Sequence, residues 1–177
     1  MKLKNKLIFS SSLILIILIF IFFVIGLKKD NLYLPSEKLS KDPVSFTGVE
    51  LFSNDNIIFQ DVIQDKKFSI INIWSSWCVP CRAEHEFVVK LKKLENSILI
   101  GLNYKDKSKN AKSFLDELGN PYEIIIKDMT GLIAIELGAY GVPETYIINN
   151  EDRIIMKKFI GPLDQNKFIE ISSILKL

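Results

Sequence analysis

An apolar run from Phe68 to Trp74 leads through Ser75-Ser76 into Trp77-Cys78-Val79-Pro80-Cys81, after which the chain turns charged and helix-forming at Arg82-Ala83-Glu84. A buried-type strand, a short turn and a helix holding two cysteines in its first turn make the local architecture of dithiol–disulfide exchange. Cys78 and Cys81 are the only cysteines of the chain. A structural disulfide usually closes a longer loop. A zinc site needs four ligands, and the chain offers two cysteines and one histidine, His85.

The spacing assigns roles to the two thiols. At the helix start, unpaired amides and the helix dipole lower the pKa of Cys78, and the thiolate is the attacking species in exchange. Cys81 lies three residues on, on the same side of the helix and less exposed, as the resolving thiol. Pro80 suits a first helical turn, where its missing amide hydrogen costs nothing. Val79-Pro80 adds neither charge nor donor between the cysteines, which favours the reducing end of the range for such dithiols.

Around this unit the pattern predicts an α/β domain. Phe46–Phe52 and Asn56–Phe59 flank Ser53-Asn54-Asp55 and suggest a hairpin. The Cys78–Glu95 segment reads as a helix with Phe87, Val88, Leu91 and Leu94 on its apolar stripe. Ile98–Leu102 and Glu123–Lys127 read as strands. Ser108–Leu118 reads as a helix ended by Gly119-Asn120-Pro121. Thr145–Ile148 and Ile154–Phe159 are strands joined by the turn Asn149-Asn150-Glu151-Asp152, and a closing helix starts at Asp164, with Phe168, Ile171, Ile174 and Leu175 facing inward. Parallel strands need helical crossovers and antiparallel ones only turns. The expected fold is a thioredoxin fold, a mixed β-sheet with helices on both faces, with an added N-terminal β-hairpin.

Residues 1–29 stand apart. Leu7–Leu27 is uncharged and would span ~31 Å as a helix, against a hydrocarbon core of ~30 Å. Lys2, Lys4 and Lys6 precede it and Lys28 and Lys29 follow. It reads as one N-terminal transmembrane helix, with the N-terminus cytoplasmic by the positive-inside rule. It is longer than a signal peptide's apolar region and lacks a small-residue cleavage site. Residues 30–41 read as a tether and 42–177 as the domain. The whole chain has 23 basic and 21 acidic residues, but five lysines lie in the first 29, leaving a domain of net −3. No nucleic-acid surface is implied.

Two acids and two aromatics stand near the dithiol in sequence. Glu84 is three residues after Cys81 and so its helix neighbour; a carboxylate there would accept the Cys81 proton when that thiol must attack. The competing reading is a solvated surface glutamate. Glu144 follows Pro143 in Gly141-Val142-Pro143-Glu144-Thr145, where in thioredoxin folds a cis proline faces the dithiol and its backbone pairs with an extended substrate. A carboxylate beside it would oppose thiolate formation and favour cationic substrates. Trp74 and Trp77 pack around the dithiol, Trp77 partly exposed, and His85 reads as a half-buried helix residue rather than a haem ligand. Asn72 stands where cytosolic thioredoxins carry a buried aspartate, which leaves Glu84 as the nearest acid for proton traffic.

Four motifs in order, Trp77-Cys78-x-x-Cys81-Arg82-Ala83-Glu84-His85, Asn103-Tyr104-Lys105-Asp106, Leu118-Gly119-Asn120-Pro121-Tyr122 and Leu137-Gly138-Ala139-Tyr140-Gly141-Val142-Pro143-Glu144-Thr145, resemble the CcmG/DsbE thiol–disulfide proteins of cytochrome c maturation. The resemblance covers about residues 42–177. It departs at Val79-Pro80 and at Val142, where a small residue is common. It implies Cys78, Cys81 and Glu84 as catalytic residues, and Trp77, Val142, Pro143 and Glu144 as the substrate-binding surface. It implies a single-pass protein of the bacterial inner membrane, its domain facing the periplasm, with no bound cofactor or metal. Its partners would be apocytochrome c, or a maturation thiol protein, and a DsbD/CcdA-type membrane electron donor. Other readings are a general periplasmic reductase, a binding-only apocytochrome holdase and a thiol peroxidase; the last lacks a proline-led approach to Cys78.

Overall fold

The computed structural model describes residues 2–28 and 42–176. The two parts are separate compact units. The first is a single helix, α1 (Lys2–Lys28). Side chains are described there for Phe9 and residues 11–24, all exposed. Among the described residues no helix is long and apolar enough to cross a membrane, and the span expected over Leu7–Leu27 extends past the described side chains at both ends. The tether expected over 30–41 lies outside the described residues.

In the domain the elements run β1 (Thr47–Glu50), β2 (Asn56–Ile58), α2 (Phe59–Val62), β3 (Phe68–Trp74), α3 (Val79–Leu91), β4 (Ser97–Tyr104), α4 (Ser108–Leu118), β5 (Ile124–Asp128), α5 (Leu132–Glu136), β6 (Glu144–Asn149), β7 (Ile154–Ile160) and α6 (Gln165–Ile174). One seven-stranded sheet takes the order β2-β1-β5-β4-β3-β6-β7. β3, β4 and β5 are parallel, and β1, β2, β6 and β7 join antiparallel.

The two faces of β3 explain its composition. All seven of its residues are buried, because helices cover the sheet on both sides. Phe68, Ile70 and Trp74 enter one apolar cluster with Val88 and Leu91 of α3, Phe114 and Leu115 of α4, and Ile171 of α6. Ile71 and Ile73 enter the other with Phe59 of α2, Ala134 of α5 and Leu137 at the C-cap of α5. Asn72 shares the first face, where a buried amide must find partners.

Some elements differ from expectation. Phe59 leaves the strand register to start α2, its ring stacking on Phe46 at 4.8 Å. α3 stops at Leu91, four residues short of Glu95, and turns through Asn96 at φ 61°. α5 has no counterpart among the expected elements. Asp128, buried at the end of β5, accepts the Ala134 amide at 2.9 Å and fastens its first turn. Gly131 before it has φ 80°, and a Cβ there would meet Lys105 and Tyr104, so only glycine fits.

Candidate active site

Cys78 caps α3, its backbone extended and its Sγ accepting the Cys81 amide at 3.1 Å. The two cysteines form a disulfide, with Cα atoms 5.3 Å apart. Cys78 is 4% exposed and Cys81 2%. The expected contrast of an exposed Cys78 and a shielded Cys81 is therefore absent in the oxidised protein, since both cysteines belong to the buried cluster that includes Val88 and Leu91 of α3. What faces solvent instead is apolar: Trp77 and Val79 are exposed, beside exposed Pro80.

The loop before Cys78 is held from outside the helix. Asp106, 3% exposed, accepts the Ser76 amide at 2.6 Å and the Ser76 hydroxyl at 2.8 Å. It also accepts the Asn103 side-chain amide at 3.1 Å and the Lys107 amide at 2.7 Å. Trp77 Nε1 donates to the Lys105 carbonyl at 3.1 Å. The Asn103–Asp106 motif is thus a clamp on the Ser76–Trp77 corner.

Glu84 is 1% exposed, not a surface residue of α3. Its Oε1 accepts from Asn72 Nδ2 at 3.0 Å and its Oε2 from the Leu163 amide at 2.6 Å. Asn72 Nδ2 also donates to Thr145 Oγ1 at 3.1 Å, while its Oδ1 accepts the Tyr122 hydroxyl at 2.7 Å. Burial raises the Glu84 pKa from 4.5 to about 7, against the opposing pull of the Asn72 and Leu163 bonds and of Lys167. Burial, then the Glu84 charge, pushes the Tyr122 hydroxyl well above its usual value, so it remains a donor. A carboxyl poised near neutrality can both take and return a proton.

Pro143 is buried, Val142 half-buried, and the bond between them is cis. Glu144 behaves differently from expectation. It is 1% exposed, with Oε1 accepting the Tyr140 and Gly141 amides at 2.8 and 3.2 Å. Its Oε2 accepts from the Tyr146 hydroxyl at 2.7 Å and pairs with Lys158 at 2.8 Å. The carboxylate therefore points into the protein and is neutralised there. It neither meets a cationic substrate nor presents an uncompensated charge to the dithiol, because its partners come from the loop before it, from β6 and from β7. His85 Nε2 donates to the Gly119 carbonyl at 2.9 Å, and burial lowers its pKa. Among the described residues no cluster of three His, Cys, Asp or Glu side chains could hold a metal.

A family described as Redoxin matches residues 51–176. The chain is 35% identical over 158 residues to the thiol:disulfide interchange protein DsbE of Haemophilus influenzae, with 86% of each covered. It is 35% identical over 165 residues to DsbE of Yersinia pestis, covering 90% of this chain and 86% of that one. The chain belongs to the DsbE family. A thioredoxin-family thiol:disulfide interchange protein from Chlorobium tepidum superposes with a TM-score of 0.62 over 77% of this chain and 96% of its own, at 20% identity, a likeness of fold.

As a DsbE-family member the chain is a thiol–disulfide oxidoreductase, and Cys78–Cys81 is its only cysteine pair. Of the motifs quoted from the sequence, Asn103–Asp106 clamps the loop before Cys78, Tyr122 reaches Asn72, a partner of Glu84, and Val142 packs against the apolar cluster that holds both cysteines. Sequence reasoning missed Lys158 and Leu163. Lys158 carries no local signal, being the second of two adjacent lysines in β7; its role follows only from register, opposite Tyr146. Leu163 acts through its backbone amide, which no side-chain pattern reveals.

Proposed function

We propose that this protein is a membrane-anchored reductant that keeps the haem-attachment cysteines of apocytochrome c reduced in the periplasm. The observation that carries the reading is the Cys78–Cys81 disulfide at the start of α3, with Glu84 buried on the same helix three residues after Cys81. The four ordered motifs of the family support the cytochrome assignment. In the reduced protein the Cys78 thiolate attacks a substrate disulfide, forming a mixed disulfide and releasing one substrate thiolate. Glu84 accepts the Cys81 proton. The Cys81 thiolate then attacks Cys78 Sγ, expelling the second substrate thiolate and leaving the Cys78–Cys81 disulfide. Two electrons pass to the substrate, and a DsbD/CcdA-type membrane donor returns them.

Trp77, Val142 and the Pro143 backbone form the surface against which an extended substrate segment would lie. The uncharged Leu7–Leu27 run within α1, flanked by lysines, supports an anchor in the bacterial inner membrane with the domain on the periplasmic side. The dithiol carries the chemistry without a bound cofactor or metal.

Cys81→Ser tests the function directly. It leaves the mixed disulfide unresolved, so apocytochrome c or a maturation thiol protein should be trapped on Cys78. A broad mixture of unrelated periplasmic proteins would show a general reductase instead. Retained cytochrome maturation in Cys78→Ser would show a holdase. Resistance of the full-length protein to alkaline carbonate washing tests the anchor, and a mature chain that begins after residue 20 would overturn it.

A further inference from the structure

The Glu144–Lys158 pair takes no part in the exchange steps, yet it is the most enclosed ion pair among the described residues. The two side chains are 2% and 8% exposed, and Nζ lies 2.8 Å from Oε2. Lys158 stands on β7, opposite Tyr146 of β6. Its ammonium lies 4.4 Å from the Tyr140 ring centroid and 5.3 Å from that of Tyr146. It also donates to the Gly138 carbonyl at 2.7 Å.

These contacts converge on one loop. Lys158 holds the segment between α5 and β6 directly at Gly138. Through Glu144 it also holds the Tyr140 and Gly141 amides, immediately before Val142-Pro143. Removing two charges from water is costly, and an apolar pair of equal volume often serves stability as well. A buried pair whose bonds nearly all end on one loop is better accounted for by placement of that loop. A lone carboxylate left in the site would also draw water in and pull the loop from its seat.

We propose that Lys158 is a positioning residue for substrate docking. By neutralising Glu144 and holding Gly138, it keeps the Gly138–Pro143 loop in the shape that receives an extended peptide segment carrying the substrate disulfide. The proposal rests on the reading above that Val142 and Pro143 form part of the docking surface. Lys158 acts through the loop, its own side chain being buried against Gly138 and Glu144.

The test uses the full chain in detergent, reduced, against two disulfides. One is an oxidised peptide containing Cys-Ala-Ala-Cys-His. The other is bis(2-hydroxyethyl) disulfide, too small to need the loop. Lys158→Met should raise the peptide KM about tenfold, the effect of one lost charged hydrogen-bond partner. The rate with the small disulfide should stay within about twofold. The double variant Glu144→Gln/Lys158→Met, which leaves no charge unpaired, should bring the peptide KM back to within about threefold of wild type. A merely structural lysine would slow both substrates alike, and removing the second charge would not rescue it. An unchanged peptide KM in Lys158→Met, equal loss on both substrates, or a double variant as impaired as the single one would each overturn the proposal. Val142→Asp separates the two levels. If it raises the peptide KM and Lys158→Met does not, the role of Lys158 fails alone; if neither does, the docking loop fails and the proposal with it.

Discussion

Replacing Glu84 by Gln should uncouple the protein's stability from pH in one defined window. In the folded protein burial holds the Glu84 pKa at about 7, against 4.5 ordinarily. The folded state therefore keeps a proton that the unfolded chain releases, and stability falls as pH rises between these values. Below pH 4.5 both states are protonated and the penalty is absent; above about pH 7 it is complete. Each tenfold difference in proton affinity is worth about 1.4 kcal/mol, so the full penalty is about 3 kcal/mol. Gln has no such titration. It loses one of the bonds to Asn72 or Leu163, because its NH2 group faces a donor, at about 1–3 kcal/mol independent of pH. The stability of Glu84→Gln relative to wild type should thus rise by about 3 kcal/mol from pH 4.5 to pH 8.5, a shift of about 1.5 M in urea midpoint at an m-value of about 2 kcal/mol/M. Urea titrations of the oxidised full chain, followed by the fluorescence of buried Trp74, measure it; the cysteines do not titrate in that state, and His85 is common to both proteins. Parallel curves across this range would show that Glu84 is not the proton-holding group.

Other outcomes follow from the site. Asp106→Ala removes the acceptor for four donors around Ser76 and should cost about 2–4 kcal/mol, read as a lowered urea midpoint; an unchanged midpoint would remove the clamp from the account. After reduction, brief iodoacetamide treatment and mass spectrometry should find Cys78 alkylated before Cys81, since only Cys78 occupies the helix cap where a thiolate is favoured; faster labelling of Cys81 would reverse their roles. Equilibration with dithiothreitol should place the dithiol nearer about −270 mV than about −120 mV. With Glu144 neutralised by Lys158, that expectation rests on uncharged Val79-Pro80 and on buried Glu84, and a value above about −150 mV would refute it.

The elements legible in the sequence are those whose signals are local and periodic. Phe68–Trp74 reads as a buried strand because nearly every residue is apolar, and Ser108–Leu118 reads as a helix because Ala111, Phe114 and Leu115 recur at helical spacing; both have the expected limits. α5 was not legible because five residues cannot show a period, and its first turn is fastened by Asp128, which lies outside it. The dithiol was legible because its chemistry demands two cysteines at one spacing. The setting of the acids was not. Glu84 and Glu144 look alike in the sequence, as charged residues beside a functional motif. Their different fates depend on what the folded chain brings to them: for Glu84 an amide and a backbone N–H from other elements, for Glu144 a lysine placed by the register of the neighbouring strand.

The strand order has a consequence for how the domain is assembled during synthesis. β3 lies between β4 and β6, and β1 beside β5, so the earliest strands of the domain take late partners. β1 and β2 cannot join the sheet before residues 124–128 exist, and β3 stays open on one side until residues 144–149 arrive. A chain emerging from its N-terminus holds Phe46, Phe59 and the apolar β3 uncovered until most of its length has been made. Non-local pairing of this kind folds slowly and leaves unpaired edges exposed meanwhile. The active-site helix follows β3 directly, so its two cysteines emerge while the sheet is still open and are accessible to other thiols until closure buries them.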